Sequence, residues 1–344
     1  MKIKLLGKSG LRVSEVCLGT MTFGDDWGWG AANDESKKIF DIFVNKGGNF
    51  VDTANNYTNG TAEKITGDLI RSDRDYFVLA TKYTLSKRKN DPNSWGNHKK
   101  NMIRSVEASL KNLGTDYIDL YWIHIWDFTT PPEEIMQALD QLVSSGKVLH
   151  IGASDTPAWM VSYSNAYSQL MGWHKFDAIQ VEYSLLQRTT EYDLIPMANT
   201  LKLGILAWAP LAGGVLTGKY NKPDIDSKRA ANNQGRLTEK NLKITEEVIK
   251  IAEEIGKTPA QVAVNWVKQQ SELIIPILGA RKSEQIEEVL GANDFILDES
   301  HIKRLTEVSR PPNVTPNNML NNTPMVENLI AGGVKLDGWK IPYY

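Results

Sequence analysis

Short apolar runs along the chain alternate with longer stretches whose apolar positions recur every three or four residues. The runs lie at Glu15–Thr20, Phe50–Thr53, Phe77–Lys82, Ile118–His124, Val148–Ser154, Ala178–Tyr183, Gly204–Trp208 and Leu273–Leu278. Between and after them the helical period predicts helices at Asp34–Lys46, Ala62–Ile70, Lys99–Leu113, Pro132–Ser145, Pro157–Leu170, Tyr192–Leu201, Glu246–Ile255, Pro259–Gln270 and Glu284–Leu290. In the first of these, Ile39, Phe40, Ile42 and Phe43 mark the apolar face, with Asn33 or Asp34 as its cap. The stretch at Pro132 opens on two prolines followed by Glu133 and Glu134, which suits a helix N-terminus. Runs such as Phe77–Thr81 and Leu273–Leu278 are almost wholly apolar, as strands buried on both faces must be. Strict alternation of strand and helix selects an α/β fold. Eight units favour a closed (β/α)8 TIM barrel over an open doubly wound sheet.

A β-hairpin is expected before the barrel, Lys2–Leu6 and Leu11–Val16 around Gly7–Gly10. The whole chain, 1–344, reads as one domain, with the barrel at about 15–295 and a C-terminal helix and tail at 299–344. A long loop runs from Pro210 to about Lys240. From Ser309 onward, prolines at 311, 312, 316 and 324 break any period.

The length of 344 residues suits this architecture, because such barrels run to about 250 residues plus insertions. With 39 basic and 41 acidic side chains the net charge is −2, which argues against nucleic-acid or polybasic membrane binding. Cys17 is the single cysteine, so neither an internal disulfide nor a multi-cysteine metal site is possible. The histidines, at 98, 124, 150, 174 and 301, form no close ligand pair, and no metal is expected. The N-terminal residues lack the apolar stretch of a secretion signal. No apolar run approaches the roughly 18 residues of a membrane span, so a cytoplasmic setting is expected. No oligomeric state follows from the pattern.

In a barrel of this kind chemistry sits where strands end and loops begin. Polar residues at those ends are Asp52, Lys82, His124, Ser154, Asp155 and Gln180, with Tyr57 five residues past Asp52. Taken singly, each reads more simply as a turn former, a solvated lysine or a satisfied core histidine. Together they converge on one face, and they fit one chemistry. Carbonyl reduction needs a hydride donor and a proton donor. A phenol has a pKa near 10, and the Lys82 ammonium is expected to lower that of Tyr57. Asp52 would hold the lysine charged, and His124 would hydrogen-bond the carbonyl oxygen or assist proton transfer.

The segments VDTANNY, LATKY, DLYWIH, GASDTPAW, QVEYSLL, LAWAPLAGGVLTGKY and PILGARKSEQIEEVLGA, in this order and spacing, resemble the aldo-keto reductase family from about Gly19 to Ala292. The resemblance implies NAD(P)H-dependent, reversible reduction of an aldehyde or ketone to an alcohol, with no flavin. It implies a catalytic tetrad of Asp52, Tyr57, Lys82 and His124, with Tyr57 as the acid. Gly19, Thr20 and Met21 would line the nicotinamide ribose. Asp52 would also border the cofactor. Ser154, Asp155 and Gln180 would hold the carboxamide, and Trp208 would stack on the ring. Ala209 would follow the stacking residue. The loop with Pro210, Leu211, Gly213, Leu216 and Lys219 would wrap the pyrophosphate, and Gly279, Arg281, Gln285 and Glu288 would surround the adenosine end. Many relatives have Asn at the position of Asp155, Ser at Ala209 and Asn at Val289.

Arg281 just before Ser283, read as a helix N-cap, forms a site for the 2′-phosphate and favours NADPH over NADH. Trp27, Trp29, Trp95 and Trp126 fall on loops at the same face, where they either wall a pocket for a small carbonyl substrate or pack the loops. Gly213–Lys219 begins like a P-loop, but Tyr220 offers no aliphatic hydroxyl for Mg²⁺. No G-x-G-x-x-G follows the first strand, so a Rossmann domain lacks support. Two other readings stay open: a cofactor-binding regulatory subunit of the same fold, and a barrel enzyme using Lys82 as a Schiff-base nucleophile.

Overall fold

The eight apolar runs close into one ring. The computed structural model of the chain describes residues 1–221, 234–320 and 323–334. A hairpin, β1 (Ile3–Leu5) and β2 (Arg12–Ser14), comes first. Then follow β3 (Cys17–Gly19), β4 (Phe50–Asp52), β5 (Val78–Tyr83), β6 (Ile118–Ile123), β7 (Val148–Ser154), β8 (Ala178–Glu182), β9 (Gly204–Trp208) and β10 (Ile274–Leu278). These last eight form a closed barrel in the order β10-β3-β4-β5-β6-β7-β8-β9, every neighbouring pair parallel. Helices lie between the strands, so the (β/α)8 reading of the pattern stands.

The strands are apolar throughout because the barrel has two apolar layers. Alternate residues point inward: Phe50, Val78, Ala80, Leu120, Trp122, Leu206 and Ile275 fill the interior. Their neighbours Val51, Leu79, Tyr121, Ile123 and Ile205 point outward against helix residues such as Phe43, Val106, Leu139 and Trp266. Each such burial stabilises the fold by roughly 1.5–3 kcal/mol. The interior is tight. A Cβ on Gly152 would lie 2.3 Å from the Trp122 ring, so glycine on β7 makes room for the indole.

Leu6 and Val13 of the hairpin segment join the interior cluster and stop the barrel at the N-terminal ends of its strands. The Lys8 N–H donates to the Lys202 carbonyl at 2.9 Å and pins the hairpin turn there. Parallel register lines up the opposite ends: Gly19 beside Asp52, Lys82 beside Trp122, Ser154 beside Gln180 and Glu182 beside Trp208.

Most of the expected helices hold to within about two residues at each end, and one departs further. It spans Glu239–Glu254 and begins well before Glu246. Thr238 caps it by accepting from the Asn241 N–H at 3.2 Å. Its opening turns are mostly polar, which hid the period. The part of the long loop at 222–233 and the tail beyond 334 lie outside the described residues. A C-terminal helix, Glu299–Val308, is present. The chain beyond it returns to the barrel mouth, where Asn317 Nδ2 donates to the Tyr192 carbonyl at 3.0 Å. No helix among the described residues is long and apolar enough to cross a membrane.

Candidate active site

Strained backbone gathers at one end of the barrel. Among the described residues nine non-glycine residues have positive φ. Lys202 sits at the N-terminal end of β9. The others follow strand C-termini: Thr58 and Asn59 after β4, Thr84 and Asn90 after β5, Phe128 after β6, Asp155 after β7, and Ala209 and Ala212 after β9. Such conformations cost about 1–3 kcal/mol each and cluster where geometry serves function.

At the centre of this face Lys82 is fully buried. An ammonium has three protons to donate, and all three are placed. One goes to Asp52 Oδ2, one to the Thr53 carbonyl at 2.9 Å, and one to the Tyr57 hydroxyl oxygen at 3.1 Å. Asp52 Oδ1 accepts in turn from Gln180 Nε2 at 3.1 Å. Burial opposes the charge on Lys82, but Asp52 and Tyr57 together outweigh it and hold the amine above its usual pKa. A charged amine with every proton engaged is a poor nucleophile, which disfavours Schiff-base chemistry.

Tyr57 is half-buried, and because its oxygen accepts from Lys82 its own proton is left for another acceptor. The expected lowering of its pKa is not what the structure gives. Burial pushes the phenol up, more than the Lys82 ammonium pulls it down. The reason is that a phenolate here loses water as well as gaining a cation. Tyr57 therefore remains protonated through neutral pH, and the lysine limits the cost of the phenolate when the proton leaves.

The His124 ring stands edge-on to Tyr57, with centroids 5.9 Å apart at 82°. Its Nδ1 is buried without a hydrogen-bond partner among the described residues. Burial, aided by the Lys82 charge, pushes its pKa down from 6.5 to about 3. The imidazole is therefore neutral at working pH, a hydrogen-bond donor and not an acid. The unfolded chain binds this proton below 6.5 and the folded one does not. His124 therefore contributes stability above pH 6.5 that is lost as pH falls toward 3. An NMR titration of His124 is expected to show no midpoint between pH 5 and 8. A midpoint near the ordinary histidine value would mean a solvated ring.

The residues expected to border a cofactor line this mouth. Gly279 and Gly19 face each other: a Cβ on Gly279 would lie 3.5 Å from the Gly19 carbonyl. Thr20 donates from Oγ1 to the Asp52 carbonyl at 3.2 Å, and Met21 is exposed. Ser154 is buried at the end of β7 and Gln180 is buried within β8. Trp208 Nε1 donates to Asp155 Oδ1 at 3.2 Å. After Ala209 and Pro210 the chain turns through Gly213, Gly214 and Gly218, with φ of 66°, 86° and 78°. A Cβ on Gly214 would lie 2.6 Å from Lys219 Nζ, so the ammonium reaches over a bare backbone turn. The Leu211 carbonyl accepts from the Gly214 N–H at 2.8 Å and from the Leu216 N–H at 3.3 Å, and Leu216 is fully buried, so the expected Leu216 contact is not offered to a ligand here.

Among the described residues neither Lys219 nor the Arg281 guanidinium has a carboxylate partner. This donor set fits a ligand with phosphates. Gln285 Oε1 accepts from the Arg281 N–H at 3.0 Å, and the Glu288 carbonyl accepts from Gln261 at 2.8 Å.

Ser283 is not the helix cap it was expected to be. The cap position of helix Ser283–Leu290 is Lys282, which makes no side-chain cap. The Ser283 N–H instead donates to Glu35 Oε1 at 2.6 Å. A carboxylate from a helix 248 positions earlier in the chain takes the role of the cap.

The four tryptophans divide. Trp29 and Trp95 are 42% and 44% exposed, and Trp27 lies 5.6 Å from Trp29. Trp126, 4% exposed, packs in the core and offers little wall. Phe128, 70% exposed after β6, was not singled out in the sequence, and only its place in the loop after His124 pointed to it. Nor was Asn55, buried beside Lys82 with both side-chain amide atoms unpartnered among the described residues. Thr84, Asn97 and Asp127 were missed too. They tie two loops together through the Thr84–Asn97 bond at 2.7 Å and the Asn97–Asp127 bond at 2.6 Å.

Comparison with known proteins agrees with this fold. The family model described as Aldo/keto reductase family matches residues 15–310. Norsolorinic acid reductase of Aspergillus flavus is 36% identical over 93% of this chain and 84% of its own length. Aryl-alcohol dehydrogenase [NADP(+)] of Phanerodontia chrysosporium is 36% identical over 87% of this chain and 83% of its own. The uncharacterized oxidoreductase YrpG of Bacillus subtilis is 36% identical over 91% and 97%. With a barrel of this topology and a match across most of its length, the chain belongs to the aldo/keto reductase family.

Proposed function

We propose that this chain reduces an aldehyde or ketone, reversibly, with NADPH as cofactor and Tyr57 as proton donor. The observation that carries the reading is the Lys82 ammonium, whose third proton is fixed on the Tyr57 oxygen. In the reduction Tyr57 gives its proton to the substrate oxygen, and Lys82 stabilises the phenolate left behind. In the oxidation the same phenolate takes the alcohol proton. His124, neutral, donates a hydrogen bond to the substrate oxygen and orients it. The nicotinamide, when bound, supplies or accepts the hydride.

Trp208, Ser154, Gln180 and Asp155 would hold the nicotinamide end. Gly213, Gly214 and Lys219 would hold the pyrophosphate, and Arg281 the 2′-phosphate. Lys219 and Arg281, neither with a carboxylate partner among the described residues, support a phosphorylated ligand, and the printed name of the NADP(+) relative supports NADPH over NADH. Glu35 leaves Arg281 as the main donor to the 2′-phosphate, since one helix-terminal N–H is already taken.

The substrate is a small molecule. The aryl-alcohol relative and the apolar rim of Trp29, Trp95 and Phe128 favour aryl carbonyls. A cytoplasmic setting agrees with a single cysteine that is buried.

The test is loss of NADPH absorbance with an activated aromatic aldehyde, NADH run in parallel. Aldehyde-dependent consumption, faster with NADPH, is expected. Bound NADPH with no consumption across aromatic and aliphatic aldehydes would sink the catalytic reading, and equal rates with NADH would sink the cofactor preference.

A further inference from the structure

Proton transfer in this site makes no use of Asp155, yet its carboxylate is fixed at the barrel mouth by three constraints. Its N–H donates to the Gln180 carbonyl at 3.1 Å, which ties it to β8. Its backbone is left-handed, with φ of 39°. Its Oδ1 accepts from the indole N–H of Trp208 at 3.2 Å. The side chain remains open to solvent while protein surrounds most of it, as suits a group lining a concave mouth.

The charges that face it are Lys82 of β5 and Glu182 of β8, and its own charge acts on Tyr57. Burial holds the carboxyl above its usual range, the Trp208 hydrogen bond pulls it back, Glu182 adds to the rise, and Lys82 opposes it. The nearby cation, Lys82, is committed to Asp52, so Asp155 has no ion-pair partner of its own among the described residues.

A carboxylate without a cation is costly to cover with a neutral group and favourable to cover with a positive one. The two forms of a nicotinamide cofactor differ in this respect. The oxidised ring is cationic and the reduced ring is neutral. Resting on the function proposed above, we propose that Asp155 makes this mouth favour the oxidised cofactor, and so makes the bound reduced ring the stronger hydride donor and biases the bound enzyme toward carbonyl reduction. In that direction the carbonyl carbon gains a C–H bond, with both electrons, from the reduced ring, and its oxygen takes the Tyr57 proton. The carbonyl becomes an alcohol and NADPH becomes NADP⁺, with nothing else consumed. An amide at the same position would serve both directions evenly. A unit charge in contact range of a partly hydrated site discriminates by about tenfold.

Asp155→Asn tests this because asparagine tolerates a left-handed backbone and keeps an oxygen to accept from Trp208. Dissociation constants for NADP⁺ and for NADPH are measured separately at neutral pH by quenching of tryptophan fluorescence, for wild type and variant. The expected result is a shift of about tenfold in their ratio toward NADPH in the variant. If Asp155 only positions the indole, both constants change by one common factor or neither changes, and the inference is overturned while the proposed function stands. If wild type binds neither form, the proposed function and the inference fall together.

Discussion

Tyr57→Phe is expected to lower turnover by about 10²–10⁴-fold or more and to leave the NADPH dissociation constant near that of wild type. Phenylalanine keeps the edge-on contact with His124 and the ring beneath the Lys82 ammonium, 4.8 Å from its nitrogen. What disappears is one oxygen. With it go the proton for the substrate and the acceptor for one Lys82 N–H, and a buried donor left unsatisfied costs about 1–3 kcal/mol. The variant should therefore fold, somewhat weakened, and bind cofactor without reacting. Aldehyde-dependent absorbance loss and a fluorescence titration, run on the same preparation, separate the two effects. Undiminished turnover would remove Tyr57 from the chemistry and reassign the proton to His124 or water.

The second large effect concerns the pair beneath it. Lys82→Met is expected to abolish turnover and to destabilise the fold by about 3–5 kcal/mol, because it strands the Asp52 charge in a buried site. Asp52→Asn added to Lys82→Met removes that charge. The double variant should recover most of the stability and none of the activity. Urea unfolding with a constant slope measures the first, and the aldehyde assay the second. A single variant as stable as wild type would mean that Asp52 is neutral or hydrated, contrary to its place beside Lys82 and Gln180.

Much of this arrangement is legible in the chain because the barrel imposes a simple rule. Strands buried on both faces must be apolar, so a polar residue at a strand end, such as Asp52, Lys82 or Gln180, stands out and falls at the mouth. What depends on distant segments is not legible. Glu35 meets the Ser283 N–H across 248 positions, and no local pattern marks that contact. Proximity of Lys82 to Tyr57 could be read from spacing, but the opposing burial of the phenol could not, so the direction of its pKa was reversed. Trp126 and Trp95 occupy similar loops in the sequence, yet one is core and the other surface. The early start at Glu239 was hidden because its first turns carry one apolar residue, Leu242, before the buried face begins at Ile244.

The hairpin at the foot of the barrel bears on traffic. With Leu6 and Val13 stopping that end, anything that reacts beside Tyr57 comes and goes through one doorway. Under the proposed function two ligands share it, and they must queue. The one that lies deeper enters first and leaves last. Its departure then sets a ceiling on the cycle that no improvement in proton transfer can lift. For a barrel stoppered in this way, speed is decided at the lip, in the loops after β6 and β9, as much as at the tyrosine.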